Sequence, residues 1–328
     1  MAGLRSLAGM PLSLLRGARG VPAGTVTVLC YHTLAADQGG PDVWTALRVS
    51  DFRAQLDLIE RHYRIVDMDT ALSRMAQPGG AGGRPLAVIT FDDGDIGLFR
   101  HLIPLLQERA VPVTVYVATA QIESGQPYWF DRVMNALEAP QAVTLMLEDL
   151  GEWRLNPEGG AARWRILGAL LEALKTLPPD LREDCAARIV AQAADQGAGQ
   201  GVLPEARLGP MSLRQVQALA TCPGVSIGAH SHCHNLLDQI PLGQAQESIL
   251  TSRRLLREWT GQPVKHFAYP NGNHSPALRE AIREAGFASA VALDNGLARP
   301  GCDLFAIPRI GVGRHDPLWR VKLRLAGL

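Results

Sequence analysis

The sequence predicts an α/β fold in which a parallel sheet closes into a barrel. Apolar runs of strand length alternate with amphipathic helical patterns along most of the 328 residues. Carboxylates and histidines directly follow two of these runs, where α/β proteins place their chemistry. The composition, 47% hydrophobic with 32 basic and 32 acidic side chains, is that of a globular chain and lacks the basic excess typical of nucleic-acid-binding proteins.

Each predicted element rests on its own pattern. The predicted strands are the short apolar runs Val26–Cys30, Leu86–Phe91, Val113–Val117, Val225–Ala229, His266–Tyr269 and Ser289–Leu293. The predicted helices are Phe52–His62, Leu98–Arg109, Leu213–Ala220, Ala245–Trp259 and Pro276–Ala285. Pro276 suits the first turn of the last helix, and Gly286 suits its end.

Three segments follow from this pattern: an amphipathic N-terminal segment (1–24), a barrel (25–315) and a basic C-terminal helix (316–328). Residues 125–205 interrupt the alternation inside the barrel and predict a helical insertion. Both chain ends are basic and apolar, so each could lie on a membrane surface or pack as a helix on the barrel. Gly9 and Pro11 interrupt the N-terminal apolar residues, which argues against a secretory signal.

The most informative segment is Thr90-Phe91-Asp92-Asp93-Gly94, where a buried strand ends in two carboxylates and a glycine. Adjacent side chains at the end of a strand point in different directions. One aspartate can therefore face a reacting water while the other holds a cation. The alternative is an ordinary turn with a solvated pair of aspartates.

A second segment, His230-Ser231-His232-Cys233-His234, places three histidines within five residues after another strand. Imidazoles and carboxylates together are typical zinc ligands. A helical turn would put His230 and His234 on one face, whereas an extended chain would do so for His230 and His232. The spacing leaves both pairs open, and a histidine-rich surface loop is the alternative to a metal site.

Together these segments resemble the polysaccharide deacetylase (NodB-type) family, carbohydrate esterase family 4. Its motifs Thr-Phe-Asp-Asp-Gly and His-Ser/Thr-x-x-His match in order, and Phe267–Gly272 is similar to the Phe-Ala-Tyr-Pro-x-Gly variant of one branch. Tyr31-His32 also resembles the first strand of that branch. The resemblance runs from about residue 26 to 312. It implies an incomplete (β/α)7-type barrel with an open groove for a chain-like substrate.

The resemblance also implies roles for individual residues. Asp93, His230 and His234 would bind a divalent metal, most often Zn²⁺ in this family, and Asp92 would be the general base. The backbone N–H of Asn271 would donate to the oxyanion. The third motif lacks the arginine that many members have there, and no late Leu-x-His segment supplies an acid. Arg309 is the candidate partner of Asp92, and His274 is the candidate acid.

The expected activity is hydrolysis of a carbon–nitrogen bond other than a peptide bond. The resemblance implies a metal-dependent deacetylase that removes an acetyl group, N-acetyl rather than O-acetyl, from a polysaccharide or a lipid-linked sugar in bacterial surface-glycan assembly. The alternatives are hydrolysis of a small non-sugar amide on the same barrel and a glycan-binding member without turnover. Tyr128, Trp129 and Phe130 could stack on sugar rings or fill the core of the insertion.

The expected location is the cytoplasm, with peripheral contact at the inner face of the membrane. Five cysteines form no paired pattern, which is typical of a reducing compartment. No apolar stretch reaches the length of a membrane span. The expected partner is the acetylated glycan or lipid-linked sugar; no nucleic acid is expected, and the oligomeric state is left open.

Overall fold

A computed structural model describes residues 24–76, 84–199 and 207–327, and its centre is one curved parallel sheet. The strands are β1 (Val26–Tyr31), β2 (Thr33–Ala35), β3 (Ala46–Arg48), β4 (Arg64–Ile65), β5 (Leu86–Phe91), β6 (Val113–Val117), β7 (Val143–Leu147), β8 (Gly151–Leu155), β9 (Val225–Ala229), β10 (His266–Ala268), β11 (Ser289–Val291) and β12 (Ile310–Gly311).

Helices flank this sheet in the alternating order that the sequence predicts. They are α1 (Val49–His62), α2 (Met68–Met75), α3 (Ile103–Glu108, preceded by a π-turn over Leu98–Leu102), α4 (Thr119–Ser124), α5 (Trp129–Leu137), α6 (Gly160–Lys175), α7 (Pro179–Asp195), α8 (Leu213–Ala220), α9 (Leu242–Thr260), α10 (Pro276–Glu284) and α11 (Leu318–Leu325).

The sheet confirms the predicted incomplete barrel. Seven strands form one continuous path, β11-β10-β9-β6-β5-β1-β12, and β4 pairs with β5 beside it. The pairings within this sheet are parallel, so the carboxyl ends of its strands lie at one edge. A single parallel bridge between Val291 and Ile307 brings the chain before β12 back towards β11. That edge is where the aspartates after β5 and the histidines after β9 meet.

Burial of apolar residues on both sides of the strands explains why the barrel forms. All six residues of β1 are buried, as a parallel strand covered on both faces requires. The helix α1 presents Phe52, Leu56 and Ile59 to the sheet at helical spacing, and all three are fully buried. Each such side chain contributes about 1.5–3 kcal/mol by leaving water. This packing fixes the strand ends that carry the polar residues.

The insertion between β6 and β9 has a core of its own. The helices α5, α6 and α7 pack on an antiparallel hairpin of β7 and β8 around Val133, Leu145, Leu170 and Ile189. The helices α5, α6 and α7 match the helical insertion that the sequence predicts, but the hairpin was not predicted. Its first strand alternates buried and exposed residues from Val143 to Leu147, which is the period-2 signal of a strand with one buried face. The insertion is therefore a mixed α/β subdomain on the barrel rim.

The C-terminal helix α11 packs on the barrel. Val321 and Leu325 are buried, and the Tyr63 hydroxyl donates to the Leu325 carbonyl at 2.7 Å. Trp319, on the opposite side of the helix, is 60% exposed. The predicted N-terminal segment lies outside the described residues, apart from Gly24. Among the helices that the structure describes, none is long and apolar enough to cross a membrane.

Candidate active site

The two aspartates after β5 point to different partners because the backbone turns sharply between them. Asp93 has a φ of 71° and Gly94 a φ of 77°, both in the left-handed region, which aspartate tolerates better than most residues. A Cβ on Gly94 would lie 3.1 Å from a methyl group of Val117, so the turn also needs a small residue. The Tyr128 hydroxyl donates to the Asp93 carbonyl at 2.7 Å and holds the turn from the insertion side.

Asp93, His230 and His234 form a compact group of potential metal ligands. The Nε2 atoms of His230 and His234 lie 3.3 and 3.2 Å from the same oxygen of Asp93. The three side chains are between 2% and 11% exposed. His230 Nδ1 lies 2.8 Å from the Ala268 carbonyl, a contact that places the proton on Nδ1 and leaves the Nε2 lone pair for a cation.

The backbone decides which histidine pair converges. Ser231 and His234 have φ values of 65° and 54°, so this loop is neither helical nor extended. These left-handed residues bring His234 beside His230, with ring centroids 4.8 Å apart. His232 points elsewhere, and its Nδ1 lies 2.8 Å from the Thr119 hydroxyl. Of the two pairs that the spacing allows, the structure brings together His230 and His234.

The donor set fits a divalent cation such as Zn²⁺. Two ligands about 2.1 Å from one cation at a tetrahedral angle lie about 3.4 Å apart, close to the distances observed between Asp93 and each histidine. Catalytic zinc sites typically have three protein ligands and keep another position for water or substrate. The two imidazoles and one carboxylate found here match that number. The contact from His230 to Ala268 supplies the outer-shell support that such ligands have.

Asp92 is held by an arginine instead. Arg309 Nη1 and Nη2 donate to its two carboxylate oxygens at 2.7 and 2.6 Å, and Arg309 also donates to the Thr90 hydroxyl at 3.1 Å. The Cys30 thiol lies 3.4 Å from one Asp92 oxygen. A second group of potential ligands, Cys30, His32 and Asp92, also lies within 4.8 Å, but both oxygens of Asp92 are already taken by Arg309.

The surroundings keep both aspartates ionised. Burial alone would raise the pKa of Asp92, but the positive charge and hydrogen bonds of Arg309, together with the nearby His230 and His32, more than offset it, so the pKa lies below its usual value. Burial likewise opposes ionisation of Asp93, and its close contacts with the His230 and His234 rings hold its pKa well below the usual range. Asp92 is therefore a carboxylate able to accept a proton, and Asp93 is a carboxylate able to hold a cation.

Both aspartates line a cavity of about 270 Å³ at the carboxyl edge of the sheet. Asn271 lines it as well, in a turn after β10 where its φ is 57°. The Asn271 side chain accepts a hydrogen bond from Lys175 Nζ at 2.6 Å, so α6 of the insertion touches this turn. His274 is not among the residues that line the cavity; its Nε2 lies 2.7 Å from Asp294 instead.

His32 is a cavity residue that sequence reasoning named but gave no role. It directly follows β1 at the functional edge of the sheet, which is the signal that could have identified it. Its ring packs on Trp44 at a centroid distance of 5.5 Å, and its Nδ1 is buried without a partner among the described residues. Burial lowers the pKa of His32, although the charges of Asp93 and Asp92 oppose this effect.

Comparison with solved structures finds the same fold in deacetylases. Streptococcus pyogenes deacetylase PplD is 14% identical with a TM-score of 0.59, covering 92% of this chain and 98% of its own. IcaB from Ammonifex degensii is 19% identical with a TM-score of 0.58 and coverages of 92% and 97%. A de-N-acetylase from Aggregatibacter actinomycetemcomitans is 12% identical with a TM-score of 0.57 and coverages of 92% and 99%. At these identities the likeness is one of fold.

Comparison of the sequence gives two further matches. Histidine–tRNA ligase of Caulobacter vibrioides is 28% identical over 121 residues, or 35% of this chain. The match covers only 24% of the ligase, so this chain spans about a quarter of that relative. The family model for polysaccharide deacetylase matches residues 79–150 and 212–290, which contain Asp92, Asp93, His230 and His234. The chain therefore belongs to the polysaccharide deacetylase family, a family of hydrolases that act on amide bonds other than peptide bonds.

Proposed function

We propose that this chain is a metal-dependent deacetylase that removes the acetyl group of an N-acetylated sugar in a polysaccharide or a lipid-linked glycan. The observation that carries the proposal is the division of labour between adjacent aspartates. Asp93 faces two imidazoles, whereas Asp92 faces an arginine, and both line one cavity. A general base and a cation site next to each other are what hydrolysis of an amide requires.

Asp93, His230 and His234 would hold the metal. When bound, a divalent cation, for which Zn²⁺ best matches these donors, supplies the positive charge that acidifies water and polarises the acetyl carbonyl. The Phe130 ring, at a centroid distance of 5.2 Å from His234, shields the group on the insertion side. By excluding water, the ring would keep the local dielectric constant low, so that charges in the site interact strongly.

Asp92 would take the proton from the attacking water. Its bidentate contact with Arg309 fixes the plane of the carboxylate and keeps it ionised in a buried site. As the water attacks, negative charge develops on the carbonyl oxygen of the acetyl group. The backbone N–H of Asn271 would donate to that oxygen, a role supported by the position of Asn271 on the cavity and by its left-handed backbone.

The departing nitrogen needs a proton, and we assign this step to His32 rather than to His274. Three histidines line the cavity, and two of them, His230 and His234, belong to the metal group. His32 is the third, and its Nδ1 has no partner among the described residues. Its lowered pKa makes the protonated ring a stronger acid. His274 is instead engaged with Asp294 away from the cavity lining.

An N-acetyl sugar suits the rest of the cavity. Trp129, Phe130 and Trp164 of the insertion line it and offer aromatic faces to the apolar faces of sugar rings. Tyr128 is buried and engaged with Asp93, so it is part of the scaffold of the site. We further propose that the enzyme acts in bacterial surface-glycan assembly, which the resemblance to the family supports.

We propose that the enzyme works in the cytoplasm, in peripheral contact with the membrane. All five cysteines lack a disulfide, which suits a reducing compartment. The exposed Trp319 of α11 lies beside the basic residues Arg320 and Lys322, a combination that favours anionic lipid surfaces. Fractionation of cells that express the chain checks this: recovery in the periplasm with oxidised cysteines would contradict it.

Acetate release tests the proposed activity. The enzyme is stripped of metal, refilled with zinc, cobalt or buffer alone, and incubated with a panel of acetylated glycans, lipid-linked sugars and small amides. We expect metal-dependent acetate release from acetylated sugars, and no release by Asp92→Asn. Turnover of small non-sugar amides alone would contradict the sugar substrate. Glycan binding without acetate release in the presence of bound metal would contradict the deacetylase activity itself.

A further inference from the structure

The insertion supplies most of one wall of the cavity. Trp129, Phe130 and Met134 come from α5, Trp164, Gly168 and Leu171 come from α6, and Arg182 comes from α7. The aromatic residues connect this wall to the metal group, because Phe130 lies 5.2 Å from His234 and 5.4 Å from Trp129 between ring centroids. The Arg182 guanidinium carbon lies 5.5 Å from the Trp129 ring. A substrate held at the metal group can thus extend along the aromatic residues to Arg182.

Arg182 differs from the other buried arginines of the described chain. Arg309 is paired with Asp92, Arg314 with Asp42, and Arg163 donates to three backbone carbonyls. Arg182 is only 2% exposed, yet its Nε and Nη1 have no hydrogen-bond partner in the part of the chain that the structure describes. Among the described residues, no carboxylate lies within ion-pair distance of it. Its neighbour Glu183 points to Arg132 instead.

An unpaired buried guanidinium is unfavourable for the free protein. Removing a cation from water costs on the order of several kcal/mol. Native proteins normally offset this cost with a counter-ion and hydrogen bonds. The Trp129 ring offers only a partial substitute, since a cation–π contact is worth about 0.5–2 kcal/mol. Burial accordingly lowers the pKa of Arg182. The missing counter-ion is the feature that needs an explanation.

We propose that Arg182 binds an anionic group of the substrate, a carboxylate or a phosphate, while the acetamido group occupies the Asp93–His230–His234 site. This inference rests on the proposed deacetylase function and names the class of its substrate: an acidic or phosphorylated N-acetyl sugar. Arg182 lines the cavity, and an anion bound there would supply the counter-ion that its guanidinium lacks among the described residues. Lys175 lines the same cavity and adds positive charge, although Glu172 offsets part of it.

Three probes that differ in charge test the proposal: a neutral disaccharide of N-acetylglucosamine, N-acetylglucosamine 1-phosphate and N-acetylglucosaminuronic acid. The variants are Arg182→Gln, which removes the charge, and Arg182→Lys, which keeps the charge but not the paired donors. Arg188→Gln is the matched control, because Arg188 lies on the same helix but is 42% exposed and paired with Asp149. Acetate release gives kcat/KM for each pair of enzyme and probe.

We expect the wild type to favour one or both anionic probes by about 10- to 100-fold in kcat/KM, the size of a charge-assisted hydrogen bond. Arg182→Gln should abolish this preference and leave turnover of the neutral probe within about twofold, as expected for a residue remote from the reacting bond. Preference for the phosphate or for the carboxylate then identifies the anion. An equal loss on neutral and anionic probes, or a wild-type preference for the neutral probe, would overturn the proposal.

A binding measurement separates this inference from the proposed activity. Calorimetry with N-acetylglucosamine and its 1-phosphate is carried out on the purified protein before and after chelation, so that binding of phosphate to a metal is excluded. If no probe releases acetate but the 1-phosphate binds more tightly than the neutral sugar and Arg182→Gln removes the difference, the anion site stands and the deacetylase proposal fails. Equal affinities for both sugars in the wild type would overturn the anion site.

Discussion

Arg309 donates to both carboxylate oxygens of Asp92, and neither side chain is more than 3% exposed. The two residues are 217 positions apart, so the barrel must fold before this pair exists. Arg309 has further contacts that fix its own position, with its Nε donating to the Ala292 carbonyl at 3.0 Å. A buried pair of this kind is weak evidence for stability, but it orients the carboxylate and keeps it ionised. The catalytic base of the proposed reaction is therefore positioned by an arginine.

We predict that Arg309→Gln lowers kcat/KM by about 100-fold, the lower end of what a well-positioned general base contributes, because Asp92 remains but is no longer held in place. Without the guanidinium, the largest effect that opposes the burial of Asp92 is lost and its pKa rises, so the acidic limb of the pH–rate profile should move to higher pH. Arg309→Lys keeps the charge and should show a smaller shift. Metal content should stay unchanged in both variants. An unshifted profile with full activity would show that Asp92 does not depend on Arg309.

Substitution of Asp92 and substitution of Asp93 should affect metal binding differently. Asp92→Asn is expected to retain stoichiometric zinc and to lose turnover, because Asp92 faces Arg309 and not the histidines. Asp93→Asn should lose about 10- to 100-fold or more in metal affinity, since it removes the carboxylate between two imidazoles. Zinc content after dialysis, measured by atomic emission, gives the answer. Metal loss in Asp92→Asn alone would reverse the two roles.

His232→Ala is the control for the histidine assignment. His232 faces the Thr119 hydroxyl and not Asp93, so this variant should bind as much zinc as the wild type. His234→Ala should bind less than one equivalent under the same dialysis. Stoichiometric metal loss from His232→Ala would show that the ligand pair is His230 and His232.

His32→Gln tests the assignment of the acid. We expect the variant to lose about 100- to 10,000-fold in kcat on an N-acetyl sugar, because the amine leaves poorly without a proton. An aryl acetate, whose leaving group needs no protonation, should be hydrolysed nearly as well as by the wild type. His274→Gln is the matched control, because His274 contacts Asp294 and does not line the cavity. This variant should keep most activity on both substrates. The reverse ranking of the two variants would make His274 the acid.

Much of the barrel could be predicted because its signals are local. The apolar run before Asp92 gives β5 with its observed bounds, and the bounds of β6, β9 and α8 also match the prediction. The hairpin of β7 and β8 escaped prediction although its first strand alternates, since a single alternating run inside a helical segment is a weak signal. The parallel order of the sheet follows from the alternation of strands and helices.

The site could be predicted only in part, because its geometry depends on backbone and long-range contacts. The choice between His232 and His234 depends on left-handed φ values at Ser231 and His234, which residue spacing does not encode. The contact of Arg309 with Asp92 depends on closure of the sheet through β12. That the Arg182 guanidinium has no counter-ion among the described residues emerges only when the insertion packs its own core. Motifs identified candidate chemistry, and tertiary packing selects among the candidates.

His266 should affect the folding stability of the chain in a way that does not depend on the metal. His266 is buried, with its Nδ1 2.9 Å from the Ser289 hydroxyl and its Nε2 3.4 Å from Asp69. Burial lowers its pKa to about 4, although the charge of Asp69 opposes this shift. Between about pH 6.5 and pH 4 the unfolded chain therefore binds a proton that the folded chain does not. The contribution of His266 to stability is complete above this window and is lost as the pH falls through it, by up to about 3 kcal/mol.

Glu138 provides a counterpart with the opposite sign. Burial raises its pKa to about 7, so its contribution is complete below about pH 4.5 and is lost as the pH rises towards 7. Urea denaturation between pH 4.5 and pH 6.5 should show both effects. In His266→Gln the free energy of unfolding should fall less on acidification than in the wild type, and in Glu138→Gln it should fall more. Parallel curves for all three proteins would mean that neither side chain is held in its neutral form by folding.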